Sequence, residues 1–181
     1  MNAVLRAHPE FGLCGLNCLL CPMRLGGHCP GCGGEGHASC ALRRCAQDRG
    51  GLEFCFECGD FPCARLENAP EYDIFISHLR QIDNLRRAKE IGMDAYLDEV
   101  RQRADILTFL LEKCNDGRKK TLFAQAANLL DLDALMKIAA QIRDSALPDL
   151  PDRAKLAASL LQDAAGAQGI SLRLRRKPKN P

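Results

Sequence analysis

From Asp73 onward the chain is patterned for helices. Apolar residues recur three and four positions apart, the spacing that lays one stripe along a helix. "DIFISHLRQIDNLRRAKEIG" places Ile74, Phe75, His78, Leu79, Ile82, Leu85 and Ala88 on such a stripe, with Gly92 as the expected stop. "MDAYLDEVRQRADILTFLLEK" repeats it through Tyr96, Leu97, Val100, Ala104, Leu107, Leu110 and Leu111. Asn115, Asp116 and Gly117 then form a turn. "RKKTLFAQAANLL" and "DLDALMKIAAQIRDSA" predict two more helices, the second with Asp131 as its N-cap. "LPDLP" breaks the chain, and a last helix starts near Pro151, a residue the first turn accepts. No strand–helix alternation is present.

Before Cys63 this periodicity is missing. "RLGGHCPGCGGEGHASC" is punctuated by Gly and Pro and cannot sustain a helix. Bulky aliphatics are few, and a segment short of core residues needs another staple, such as a metal or disulfides. The expected fold is therefore mainly α, with a loop-rich, metal-stapled, cysteine-rich module packed on a helical bundle. The boundaries are 1–66 for the module, 67–167 for the bundle and 168–181 for a basic tail expected to be mobile. "ARLENAPEYD" is the expected joint, with Phe61 and Leu66 docking one part on the other.

Composition sharpens this picture. The chain has 181 residues, 46% of them apolar, enough for a real core. A net charge of +2 does not by itself argue for nucleic acid, leaving only the tail's "RRK" and "KPK" as possible phosphate contacts. Apolar runs are far shorter than the ~20 residues of a membrane span, and "MNAVLRAHPEFG" lacks the apolar stretch of an export signal. The expected location is cytoplasmic, without a membrane, and the expected partner is a protein docking on the bundle or tail.

In a reducing compartment eleven cysteines point to metal or redox chemistry rather than disulfides. Ten of them lie between Cys14 and Cys63, spaced Cys14-x3-Cys18-x2-Cys21, Cys29-x2-Cys32, Cys40-x4-Cys45, Cys55-x2-Cys58, then Cys63. A C-x2-C pair lets two thiolates hold one ion inside a tight turn, and three such pairs in a Gly-rich segment form a strong signal. His37-x2-Cys40 has the same spacing, and His can replace Cys as a ligand. His28 is a further candidate. Buried free thiols are the competing reading, disfavoured by the shortage of aliphatic neighbours. A thioredoxin-like pair would need a preceding strand. The candidate ligands are therefore Cys14, Cys18, Cys21, Cys29, Cys32, His37, Cys40, Cys45, Cys55, Cys58 and Cys63. The paired knuckles and the H-x2-C favour zinc, expected as two ions, with an iron–sulfur cluster as the alternative. Cys14, Cys18 and Cys21 alone match half of a radical-enzyme signature, but no barrel follows to serve it.

The stretches "CGLNCLLCP", "CPGC", "CALRRCAQDRGGLEFCFECGDFPCARL" and "NLRRAKEIGMDAYLDE" resemble the cysteine-rich family called domain of unknown function 3795, over roughly residues 11–140. The element from Cys55 to Leu66 is its most specific part. The resemblance implies metal binding, with zinc the usual expectation, and brings no established activity. It implies Cys14, Cys18, Cys21, Cys32, Cys40, Cys45, Cys55, Cys58 and Cys63 as ligands. Many members carry a cysteine pair where this chain has His37 and Cys40, a departure that keeps zinc binding and suits a four-iron cluster less.

The remaining polar residues read more plainly. Cys114 is expected to be a partly buried free thiol, His78 a packed residue and His8 part of a frayed end. Glu53, Glu57 and Asp60 stand among the ligands and are expected to be solvated. No Ser–His–Asp set, phosphate-binding loop or paired carboxylates stand out, so catalysis is not indicated. The three functional readings are a zinc-stabilised interaction module, an iron–sulfur protein for electron transfer or redox sensing, and an enzyme with an open metal position.

Overall fold

A computed structural model of the chain describes residues 6–37, 40–68 and 72–177. It is mainly helical: α1 Pro22–Leu25, α2 Ala41–Asp48, α3 Ala64–Glu67, α4 Gln81–Ile91, α5 Met93–Lys113, α6 Lys120–Leu129, α7 Leu132–Asp144 and α8 Leu150–Ala167. Single 3₁₀ turns cover Cys18–Leu20 and Cys55–Glu57, and no strand occurs among the described residues.

The long helices lie where the apolar period places them. Gly92 ends α4 at φ +87, a conformation that costs glycine little. Asn115 Oδ1 accepts from the amides of Gly117 and Lys119, closing the turn after α5. Asp131 sits at the N-cap of α7 without a side-chain capping bond. The central core is built by α5 to α8 through Leu107, Leu110, Phe123, Leu135, Ile138 and Leu161. Leu20, Ile76 and Leu172 join it from outside those helices. Arg103 crosses the bundle and donates from Nη1 to the carbonyls of Ala127 and Leu130, satisfying the C-terminal end of α6.

One helix starts later than its pattern predicts. Ile74, Phe75, His78 and Leu79 precede α4, which begins at Gln81. Asp73 Oδ1 takes the amide of His78, and the buried Gln125 Oε1 takes the amide of Ser77. These side-chain acceptors fix the segment as a turn. Ile74, Phe75 and Leu79 consequently stay exposed instead of forming a buried stripe.

The N-terminal region has more apolar packing than its composition suggests. Phe11, Phe54 and Leu66 form one buried cluster with Leu85, Ala88, Tyr96, Leu97 and Val100. Phe61 packs at its edge. Leu13, Cys32 and Ala46 form a smaller cluster, flanked by Leu42 and Leu52. Phe11 lies 4.9 Å from the Tyr96 ring and 5.7 Å from the Phe54 ring. The buried Arg6 side chain pins the loops: its guanidinium donates to the carbonyls of Phe11 and Glu53 at 2.8 Å and pairs with Glu53 at 3.2 Å. The cysteine loop also meets α4 closely. Gly15 has φ +91, and a Cβ there would stand 2.0 Å from the Gln81 carbonyl oxygen, so no other residue fits without movement. The expected joint falls partly on residues 69–71, outside the described residues.

Candidate metal centres

Two of the three C-x2-C pairs close the same local turn. The Cys21 amide donates to the Cys18 carbonyl at 3.0 Å, and the Cys58 amide to the Cys55 carbonyl at 3.2 Å. The third is built differently. The Cys32 amide donates to Pro9, and Gly31 at φ +89 sits so near the Pro9 carbonyl that a Cβ would fall 2.2 Å from it. Cys40 caps the N-terminus of α2, its Sγ accepting from the Arg43 amide at 3.4 Å. Cys45 lies within α2, and Cys63 stands at the N-cap of α3.

These placements sort the ten cysteines into two cavities. A cavity of about 360 Å³ is lined by Cys45, Cys55, Cys58 and Cys63, with Leu42, Leu52, Phe61 and Leu66 among its apolar walls. A second, of about 560 Å³, is lined by Cys14, Cys18, Cys21, Cys29, Cys32 and Cys40. His28, His37 and His78 border the second cavity as well. No cysteine lines both, and each of the ten lines one. Cys40 and Cys45 are neighbours in sequence, yet Cys40 is the extended N-cap of α2 and Cys45 lies within the helix, and they line different cavities.

The thiols within each set feel one another. Burial pushes Cys14 up to about 11, and Cys32 and Cys40 add to the effect. Burial, then Cys14, Cys32 and Cys21, takes Cys18 to about 12. Burial again takes Cys55 to about 12, followed by Cys14, Cys63, Cys45 and Cys58. Cys14 thus stands where the two sets approach. Without a cation these groups are neutral thiols at pH 7, and a bound metal reverses that preference because only thiolates ligate well. All eleven cysteines are free, Cys32 and Cys114 being buried and Cys40 exposed. The buried Cys114, which sits in the central core and lines neither cavity, is raised by burial.

Other groups complete the surroundings. Arg49 Nη1 donates to Cys58 Sγ at 3.1 Å and pairs with Asp60 at 2.6 Å. His37 and His78 each hold a buried Nδ1 with no hydrogen-bond partner among the described residues. The His37 nitrogen borders the six thiols and fits a site that takes a cation, whereas that of His78 faces Asp73 Oδ1 at 3.5 Å. Burial holds His78 below the ordinary imidazole range despite the nearby Asp73 carboxylate, so its ring is neutral at pH 7. Among the described residues, however, no three His, Cys, Asp or Glu side chains converge as the ligands of a single ion do. The thiols line the cavities rather than meeting at a point.

Three sequence-based readings change. The cysteines do have apolar neighbours: Cys14, Cys55 and Cys63 pack on the Phe11–Leu97 cluster, and Cys18 on Leu13. Glu57 and Asp60 are exposed, as expected, yet Glu57 Oε2 also takes the amides of Glu53 and Phe54, while the half-buried Glu53 takes the His8 amide through Oε1. His8 is held further by stacking on Phe54. Arg49 escaped sequence reading because its partners, Cys58 and Asp60, stand on another turn. Only the hydrophobic pattern marked His78, and it marked it as a helix-face residue. The basic "KPK" step reaches into residues 178–181, outside the described residues, whereas Arg175 pairs with Asp73 at 2.7 Å.

No helix among the described residues is long and apolar enough to cross a membrane. No curated protein and no solved structure matches the chain. Residues 25–68 match a family model described as "Protein of unknown function (DUF3795)". The match takes in both cavities' later cysteines and leaves out Cys14, Cys18, Cys21 and the long helices, so it is narrower than the resemblance read from the motifs. Over that cysteine-rich segment, the chain is similar to the DUF3795 family.

Proposed function

We propose that this chain is a metal-binding protein, with two separate thiolate centres stapling its N-terminal module onto the helical bundle, and that it serves as a structural or interaction module. One observation carries the reading: ten cysteines, scattered over fifty residues, line two cavities as sets of four and six. Cys45, Cys55, Cys58 and Cys63 make a complete four-thiolate set. Cys14, Cys18, Cys21, Cys29, Cys32 and Cys40, with His37, supply more ligands than a second ion needs. Zinc in these centres would contribute folding free energy directly, as metal binding does wherever the unfolded chain lacks a formed site.

A second reading applies to the four-cysteine cavity. Ligands of one zinc ion, each about 2.3 Å from it, stand about 3.8 Å apart. The thiols here instead surround an apolar space of about 360 Å³ and do not converge. A four-iron cluster has that demand: four thiolates spread around a multi-atom core, in dry surroundings that set its potential.

Purification without air, followed by metal counting per chain, tests both. Zinc near two per colourless chain supports the first reading. A brown chain with iron and acid-labile sulfide, whose colour is lost in Cys58→Ser, supports the second. A chain with neither metal, and unable to take either up on reconstitution, would overturn metal binding altogether.

A further inference from the structure

The two cysteine cavities differ in charge. Arg49 and Arg65 line the four-cysteine cavity, whereas no arginine or lysine among the described residues lines the six-cysteine one. The place of Arg49 follows from the sequence. It comes four residues after Cys45, one helical turn on, and so shares the side of α2 that brings Cys45 to the cavity. The helix stops there. The amides of Gly50 and Gly51 return to the Gln47 and Ala46 carbonyls at 3.2 Å and 3.0 Å, and both glycines have positive φ, so the chain turns back directly after Arg49.

The guanidinium reaches across to the loop that holds Cys58 and Cys63, and one nitrogen makes both contacts with it. Nη1 donates to Asp60 Oδ2 at 2.6 Å and to Cys58 Sγ at 3.1 Å. A guanidinium Nη carries two hydrogens, so the two bonds form together. The Phe61 amide donates to the Cys58 carbonyl at 3.1 Å, closing the turn that carries Asp60 beside Cys58. A neutral thiol is a weak acceptor for such a donor, and an ionised sulfur is a much stronger one. Four thiolates around one divalent ion leave an excess of negative charge on the sulfurs, which is the charge an N–H donor of this kind stabilises. All four thiols are half-buried and within reach of solvent, and Cys58 is the one that Arg49 engages.

We propose that Arg49 is a positioning residue of the four-cysteine centre: aimed by Asp60, its guanidinium gives a charge-assisted N–H···S bond to the metal-bound Cys58 thiolate and shields that ligand from protons and electrophiles. The inference rests on the metal-binding reading above and holds for zinc or a cluster, since both use the same four thiolates. Contacts to a ligand from outside the coordination shell fix its orientation and tune the metal. Arg49 therefore keeps the centre closed, as a structural site requires.

The test uses the full chain reloaded with cadmium-113 without air. Scalar coupling between cadmium and the Cys58 β-protons establishes Cys58 as a ligand. Iodoacetamide is then added, and the alkylation rate of each cysteine is read by mass mapping. Arg49→Met should speed alkylation of Cys58 about 3–10-fold, the effect of one hydrogen bond to a charged group reduced by its exposure. Cys29, in the other cavity, should keep its rate. Arg49→Lys, which retains a charge and a donor, should fall between wild type and Arg49→Met. An Arg49 that merely straps α2 to the loop would instead let Cys45, Cys55, Cys58 and Cys63 quicken together in Arg49→Met. That result would overturn the inference, as would an unchanged Cys58 rate, and either would leave the metal reading standing. A reloaded chain without cadmium coupling to Cys58 would overturn both at this centre. The half-exposed position of Arg49 favours folding of both variants, which the helical dichroism signal checks.

Discussion

Residues 6–68 and 72–177 reach burial by opposite routes. The second stretch does it with period. Four of its helices lay apolar stripes together, and α6 is so enclosed that Phe123, Ala124, Ala126 and Ala127 are all fully buried. The first stretch has no helix longer than the eight residues of α2. Its loops are fastened by side chains bonding to backbone, as Arg6, Glu53 and Glu57 do, and its apolar clusters are edged by thiols. The difference teaches that a loop region can be packed without helical period, through side-chain bonds to backbone and small apolar clusters. Thiols at the edge of a small cluster supply little transfer free energy as neutral groups, but on the order of 10 kcal/mol per site once they hold a zinc-like ion.

The largest expected effect separates the two regions at once. Removing metal from the anaerobic protein with a strong chelator should open residues 6–68 to protease, while most of the far-ultraviolet helical signal survives in α5 to α8. Mass mapping of the first cleavage products checks this. Unchanged proteolysis after complete metal removal would mean that Arg6 and the apolar clusters suffice, and that the two regions are held alike.

The complementary break is made in the bundle. Phe123 is completely buried in α6, and Phe123→Ala should cost about 3–5 kcal/mol, read as a lowered urea midpoint of the helical signal. Metal content per folded chain should not change, since Phe123 borders neither cavity. If metal were lost in step with the helices, the two regions would form one cooperative unit, coupled through Leu20 and Ile76 in the central core.

The same contrast decides what could be read from the sequence. Helix α5 and its Gly92 boundary were legible because periodicity and a positive-φ glycine are local signals. The start of α4 was misread because Asp73 and Gln125 remove the Ser77 and His78 amides from a helical pattern, and Gln125 lies 48 positions from Ser77. The cysteine array was legible as a cluster of thiols, since C-x2-C is also local. Its division into four and six was not. That division brings Cys14 toward Cys32 and Cys40, and sets Cys45 and Cys40 in different cavities. The bond between Asp73 and Arg175 was hidden for the same reason, since 102 residues separate the two.

The smallest effect tests the seam between the regions. Asn17, just before Cys18, accepts a hydrogen bond from the Tyr96 hydroxyl at 2.9 Å, and both residues are buried. Its amide nitrogen reaches Asn128 Oδ1 at 3.5 Å, and Asn128 donates to the Ser77 carbonyl at 3.1 Å. Tyr96→Phe removes the donor and strands the Asn17 oxygen, which should cost about 1–2 kcal/mol at pH 7. The pH dependence identifies the cause. Burial raises the Tyr96 hydroxyl above its ordinary value, the bond to Asn17 only partly offsetting it. A raised folded value stabilises the native state fully below the unfolded value, roughly 10, and that contribution is lost as pH climbs through the folded one. Urea midpoints of wild type and Tyr96→Phe should therefore converge between about pH 9.5 and 11, because only the wild type has this phenol to ionise on unfolding. The thiols titrate in both proteins and cancel in the difference. A gap that stayed constant across that range would show that the variant loses packing at the seam and not the hydroxyl's bond.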